Sequence, residues 1–297
     1  MGLLASLFGG SSRVDLWKRF ERLRESNTGT MSAFYKVKDR ASGKVLGLKV
    51  IDGKKRDPVE ARYAGLGKPS EGEISLKLVA PTLVRTLEHG VSTVGESFLV
   101  QEFIEGENLH IVLTKRGGIP ADKRPDLVRQ AATAVAAVHA AGFVHRDICP
   151  RNFMLKPDGQ LVLFDFGLTV PDKPVFLQPG NRVGTPNYMA PEVIRRKQAD
   201  KRLDVFSFGV TAYEICTTGQ APWPRGTSGS AALAHDSPPA DIRAAWPEIP
   251  ESLAGAIMAC LQADPAKRPA TMEAFLQAIA RAPGPKTTVA RPSAGSP

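Results

Sequence analysis

Three oxygen-bearing side chains set the chemistry this sequence offers. Asp147 lies in Val144-His145-Arg146-Asp147-Ile148-Cys149-Pro150-Arg151-Asn152, Asn152 follows five residues later, and Asp165 follows thirteen beyond that in Phe164-Asp165-Phe166-Gly167. Apolar runs bound each of them, so a loop, strand, turn and strand bring the three oxygens together. One carboxylate of such a set takes or orients a hydroxyl proton, while an amide oxygen and a second carboxylate suit a hard cation that keeps several of its waters. This is equipment for phosphoryl transfer. Lys49 adds a cation inside an apolar strand, where burying an ammonium is unfavourable unless an anion lies beside it.

The elements that must hold these residues follow from the apolar pattern. Strands are expected at 20–26, 33–39 and 45–51, with a turn over 26–32 that contains Gly29. A helical stretch over 58–78 is broken near Gly65-Leu66-Gly67-Lys68-Pro69, after which Glu71, Ile74 and Leu78 fall at helical spacing. Glu71 and Glu73 both qualify as the anion for Lys49. Further strands are expected at 82–88 and 98–103, and residues 104–108 cross to a second, helical part. There Leu127, Ala131, Val135 and Val138 line one helical face, residues 161–164 form a short buried strand that delivers Asp165, and later helices begin at Ala190-Pro191-Glu192, before Asp204, near Leu253 and near Thr271. Residues 1–17 read as a flexible leader, and residues 282–297, rich in Pro, Gly, Ser and Thr, as a disordered tail.

With 297 residues, 42% hydrophobic and 23% charged, the chain is long enough to bury a sizeable core and is neither disordered nor fibrous. No apolar run approaches the roughly 20 residues that span a bilayer, and Met1-Gly2-Leu3-Leu4 lacks the basic start of a secretory signal. No transmembrane segment and a cytoplasmic location are therefore expected. Cys149, Cys216 and Cys260 are odd in number and far apart, which speaks against a disulfide frame or a zinc site. The net charge of +9 is spread along the chain without interleaved aromatics, so it points to a solvated surface and no nucleic acid is expected. Its densest cluster, Arg195-Arg196-Lys197 with Lys201-Arg202, offers a contact for acidic substrates beside the plainer reading of a solvated face.

Taken in order, a glycine-poor turn at Gly29, Leu48-Lys49-Val50, His145-Arg146-Asp147 with Asn152, Asp165-Phe166-Gly167 and Ala190-Pro191-Glu192 resemble the eukaryotic-type (Hanks-type) serine/threonine protein kinase family, in the manner of a small bacterial member. The resemblance implies an α+β, bilobal protein-kinase-like fold over residues 18–281, with a small β-rich lobe at 18–103 and a larger helical lobe at 107–281. It implies ATP- and Mg2+-dependent transfer of the γ-phosphoryl group to Ser or Thr hydroxyls of a protein substrate. By the same resemblance, Lys49 binds the phosphates and pairs with a helix glutamate, for which the spacing favours Glu71. Asp147 orients the acceptor hydroxyl, Asn152 and Asp165 hold magnesium, and Ser26 and Gly29 belong to the turn that covers the phosphates. Gln101 stands at the back of the adenine pocket, with Glu102 and Ile104 offering backbone hydrogen bonds to the base. Asp204, and Glu192 with Arg268, are implied scaffold.

Three departures from the family pattern shape the expectations. The phosphate turn reads Asn27-x-Gly29-x-x-Ser32, with two of three glycines replaced, so weakened nucleotide binding is expected. The catalytic loop has Cys149 where serine/threonine members place lysine, and Arg151 where tyrosine members place arginine; Arg151 is expected to supply the missing cation. Gly184-Thr185-Pro186 nevertheless resembles the serine/threonine substrate loop, and Thr185 is expected to hydrogen-bond Asp147. Finally, no Ser, Thr or Tyr occurs from Val170 to Gly184, although Arg146 in this family implies a phosphate to bind there. Activity without phosphorylation of this segment is expected, with packing of its Pro-rich part or Asp172 as a fixed anion in place of the phosphate. Cys149, between Arg146 and Arg151, is a candidate for a lowered thiol pKa and a redox role. The alternatives are a nucleotide-binding pseudokinase scaffold, favoured by the eroded turn, and a small-molecule phosphotransferase of similar fold, which would share the Asp/Asn/Asp set.

Overall fold

The computed structural model describes residues 13–26, 32–115, 117–223, 235 and 237–280. A short helix α1 (Leu16–Arg19), capped by the Asp15 side chain, leads into strands β1 (Phe20–Ser26), β2 (Ser32–Asp39) and β3 (Val45–Ile51). After helices α2 (Gly53–Glu60) and α3 (Glu71–Lys77) come β4 (Thr86–Val91) and β5 (Ser97–Glu102). These strands make one antiparallel sheet in the order β1-β2-β3-β5-β4. Leu46, Leu48 and Val50 of β3 point into a small core with Leu16, Phe20, Val37, Phe98 and Val100. Strand alternation therefore turns Lys49 to the opposite face, toward the cleft between the lobes. Of the expected leader, residues 1–12 lie outside the described residues; in the rest Leu16 is buried and the Val14 N–H donates to Val91 O at 3.1 Å, while Trp17 is exposed.

Two other boundaries differ from expectation. The strand expected at 82–88 begins at Thr86, because Leu83 and Val84 are buried against the helical lobe, where the Val84 N–H donates to Leu163 O at 2.9 Å. The helix expected from residue 58 starts at Gly53, with Asp52 as its cap and Pro58 inside its second turn. Helical periodicity was too weak there to locate the start, since only Arg56 of α2 is buried.

The helical lobe is built around α4 (Leu109–Thr114), α5 (Arg124–Ala140) and, after a short α6 (Pro191–Ile194), α7 (Arg202–Cys216). Every residue of α7 from Leu203 to Cys216 is buried, so it is the central post of this lobe. Gly209 permits the close approach of the helix Glu251–Cys260: a Cβ at Gly209 would lie 2.7 Å from Cys260 Cβ. The last helix, Met272–Ala280, docks Phe275 edge-on to Phe208 of α7 at 4.8 Å between ring centroids. Short paired strands at Phe153–Leu155 and Leu161–Leu163 carry the chain from Asn152 to Asp165. The fold is α+β and bilobal, as the motifs implied.

Candidate active site

Strand β3 delivers Lys49 and α3 delivers its anion. Lys49 Nζ donates to Glu71 Oε1 at 2.6 Å and to Asp165 Oδ1 at 2.7 Å. Of the two candidate glutamates, Glu71 is the partner, and the start of α3 explains why. Ser70 caps the helix by accepting from the Glu73 N–H, and Glu73 Oε2 reaches back to the Ser70 N–H at 2.8 Å. This reciprocal pair commits Glu73 to the helix end and leaves Glu71, with Ile74, on the buried face. The other oxygen of Glu71 accepts from the Arg56 guanidinium, a second cation that the sequence did not single out. Burial opposes a charged Lys49, but Asp165 and Glu71 outweigh it and hold the ammonium above its ordinary range. Asp165 lies between the lobes with 45% of its side chain open to the cleft; desolvation there opposes its charge, but Lys49 outweighs it and brings the carboxyl down to about 2.

The catalytic loop is held from below. The buried Asp204 carboxylate, in the first turn of α7, accepts from the backbone N–H groups of His145 at 2.7 Å and Arg146 at 2.8 Å, and meets His139 Nε2 at 2.9 Å. These bonds maintain a left-handed backbone at Arg146, φ 72°, which is unfavourable by roughly 1–3 kcal/mol for a non-glycine residue. Asp165 has the same feature, φ 64°. Burial pushes the His145 imidazole below its ordinary range, and its Nδ1 accepts from the Asp147 N–H at 3.2 Å, so the ring is neutral.

Thr185 reaches Asp147 from the segment that follows Asp165-Phe166-Gly167. Its N–H and its Oγ1 both donate to Asp147 Oδ1 at 2.7 Å, while Asn152 Nδ2 donates to Asp147 Oδ2 at 3.0 Å and to Asp147 O at 2.7 Å. Gly184 makes this approach possible, since it has φ +111° and a Cβ there would sit 2.6 Å from Arg146 O. The Arg151 side chain is exposed at the cleft-side turn Pro150–Asn152. Cys149 is not the activated thiol its arginine neighbours suggested. Burial, with the Asp147 charge beside it, pushes it up to about 12, and its Sγ lies 3.7 Å from Thr185 Oγ1. Arg151 faces solvent and Arg146 is engaged elsewhere, so neither lowers it, and the redox reading is withdrawn.

At the back of the cleft the buried Gln101 donates through Nε2 to Thr86 Oγ1 at 3.0 Å. The Glu102 N–H is taken by Arg85 O at 3.0 Å, and Ile104 packs against the large core. Gly29 lies outside the described residues, and of Ser26 only the backbone at the end of β1 is described. The structure thus brings Lys49, Glu71, Asp165, Asn152, Asp147 and Thr185 together. It adds Arg56, which lies before the stretch expected to be helical, and Tyr63, which lies within it; neither residue type signalled its partner.

The protein kinase domain family matches residues 20–278. Among curated proteins, the serine/threonine-protein kinase pkn3 of Myxococcus xanthus is 30% identical over 70% of this chain and 41% of its own length. The serine/threonine-protein kinase PknA of Mycobacterium tuberculosis is 30% identical over 90% of this chain and 62% of its own, and drp72 of Corynebacterium efficiens is 30% identical over 91% and 53%. The chain spans about half the length of these relatives. Among the described residues no helix is long and apolar enough to cross a membrane. A match across both lobes, over the segments that carry Lys49, Asp147, Asn152 and Asp165, places the chain in the protein kinase domain family.

Proposed function

We propose that this chain transfers the γ-phosphoryl group of ATP to Ser or Thr hydroxyls of protein substrates. The observation that carries the reading is Asp147, whose carboxylate is held on one oxygen by Thr185 and on the other by Asn152 at the mouth of a cleft where Lys49 already bridges Glu71 and Asp165. Positioning and charge stabilisation are what phosphoryl transfer asks of a protein. Lys49 binds the α- and β-phosphates, with Glu71 fixing the direction of its ammonium. Asp147 accepts or orients the acceptor hydroxyl proton, and Thr185 fixes that carboxylate next to the peptide. Ser26 and Gly29 cover the phosphates, and the backbone of Glu102 and Ile104 meets the base, with the donor coming from Ile104 because the Glu102 N–H is spent on Arg85.

The donor set suits magnesium. Asn152 spends its amide nitrogen on Asp147, which leaves its oxygen for a ligand, and Asp165 is open to the cleft. Among the described residues no group of three His, Cys, Asp or Glu forms a complete cage, in keeping with a cation that takes one or two protein oxygens and completes its shell with phosphates and water. When bound, it would neutralise charge on the phosphates. A cytoplasmic, signalling role belongs to the same proposal.

The test is radiolabelled ATP with magnesium and generic peptides. Label on serine or threonine is the expected result; nucleotide binding with no transfer overturns the reading in favour of a scaffold, and transfer only to a small molecule overturns it in favour of a small-molecule phosphotransferase. Within this reading Arg151 supplies the cation that the Cys149 position lacks. Arg151→Ala should lower kcat by about 10²- to 10³-fold at unchanged melting temperature, as loss of one transition-state donor does; an unchanged kcat removes Arg151 from the mechanism.

A further inference from the structure

We propose that residues 53–69, between β3 and α3, are an internal clamp that holds the catalytic loop and Glu71 in their assembled positions without a phosphate on the substrate-side segment. The proposal rests on reading the chain as a protein kinase. Its starting point is Arg146, buried beside the catalytic Asp147. A desolvated guanidinium without partners is strongly destabilising. The segment from Val170 to Gly184 has no hydroxyl to phosphorylate, and its own carboxylate, Asp172, faces Lys201 Nζ at 3.9 Å.

Tyr63 takes the place of that anion. Arg146 Nη1 donates to the Tyr63 hydroxyl, and Nη2 donates to Asn181 O at 3.3 Å. The Tyr63 ring, itself buried, packs on Phe176 at 6.0 Å between centroids, and the Arg146 guanidinium lies 5.9 Å from the same ring. One side chain from the small lobe therefore touches both the catalytic loop and the substrate-side segment. The contact uses a hydroxyl that the side chain already carries, so it needs no modification to form.

The other end of the clamp reaches Glu71. Arg56 donates to the Glu71 carboxylate and, through Nε at 3.0 Å and Nη2 at 2.9 Å, to Glu60 Oε1. Lys68 Nζ closes the segment on itself by donating to both Glu60 oxygens at 3.0 Å and lies 5.7 Å from the Tyr63 ring centroid. Arg56, Glu60, Lys68 and Tyr63 thus form one connected unit that reaches outward to Glu71 through Arg56 and to Arg146 and Phe176 through Tyr63. Tyr63 and Arg56 are positioning residues: neither touches the reacting atoms, and each acts through a residue that lies at or beside the site.

The experiment is a double-mutant cycle on the full chain, with Tyr63→Phe, Arg146→Met and both together, read by kcat, KM for ATP and amide hydrogen exchange of residues 176–184. Phe keeps the ring on Phe176 and removes only the hydroxyl. Tyr63→Phe should lower kcat by about tenfold, the scale of one hydrogen bond to a charged group, at unchanged KM for ATP, and should speed exchange in 176–184. The double variant should be no slower than the slower single variant, because both remove one contact. Multiplied losses in the double variant, or wild-type kcat and exchange in Tyr63→Phe, overturn the clamp. Phosphatase treatment should leave activity unchanged, and its abolition would also overturn the clamp. If the unsubstituted chain transfers no phosphate, the kinase reading falls, and the exchange comparison alone still decides the clamp: faster exchange supports it and unchanged exchange refutes it.

Discussion

Asp147→Asn should lower phosphoryl transfer by about 10²- to 10⁴-fold, the range that a positioned proton acceptor contributes, while nucleotide affinity stays within about twofold, since Lys49, Glu71 and Asp165 are untouched. The geometry gives the substitution a second effect. Asp147 uses one oxygen to accept two donors from Thr185 and the other to accept from Asn152 Nδ2. An amide offers one acceptor and one donor edge, so its NH2 must face either the Thr185 donors or the Asn152 amide. At least one contact is lost in either orientation, and stability should fall by about 1 kcal/mol or more. Single-turnover transfer, nucleotide titration and a thermal melt on the same sample separate the three effects. Transfer within about threefold of the unsubstituted chain would show that Asp147 is not the proton acceptor.

The largest stability effect should come from Arg268→Ala. All five guanidinium N–H groups of Arg268 are used: two meet Glu192 at 2.8 and 2.7 Å, and the others donate to Gln262 O at 2.8 Å, Arg202 O at 3.0 Å and Ala263 O at 3.1 Å. Its carbon Cζ also lies 4.9 Å from the Phe206 ring centroid. Truncation leaves the buried Glu192 carboxylate and three carbonyls without this partner. Removing one member of a buried pair is destabilising by about 3–5 kcal/mol, which corresponds to a fall of about 10 °C in melting temperature for a domain of this size. Arg268→Lys should recover only part of the loss, because an ammonium has three donors and no planar fork to match the carboxylate. A melting temperature within about 2 °C of the unsubstituted chain for Arg268→Ala would show that the pair is not a structural anchor.

Much of the site was legible because it is written locally. Lys49 announces itself as a charge in an apolar strand, and Asp147, Asn152 and Asp165 are held to one another by a short excursion of chain. Their order and spacing alone implied the family, and the strand Val45–Ile51 was bounded correctly. Other features were placed less well because their signal is not local. The strand expected at 82–88 was misplaced since Leu83 and Val84 are apolar for a partner in the other lobe, not for their own sheet. Arg56 and Tyr63 were passed over because a single cationic or aromatic residue carries no sign of what lies opposite.

By itself the sequence determined the chemistry: which carboxylates, amide and cation are available, and that they converge. Tertiary structure alone decided between Glu71 and Glu73, through a helix cap that commits Glu73 to Ser70. It also decided that Cys149 is buried beside Thr185 and that Arg146 meets Tyr63. The physical reason is common to these cases. A residue's type fixes which bonds and charges it can offer, but which partner accepts them, and how far water is excluded from the pair, depends on segments far away in the chain that only packing brings into contact.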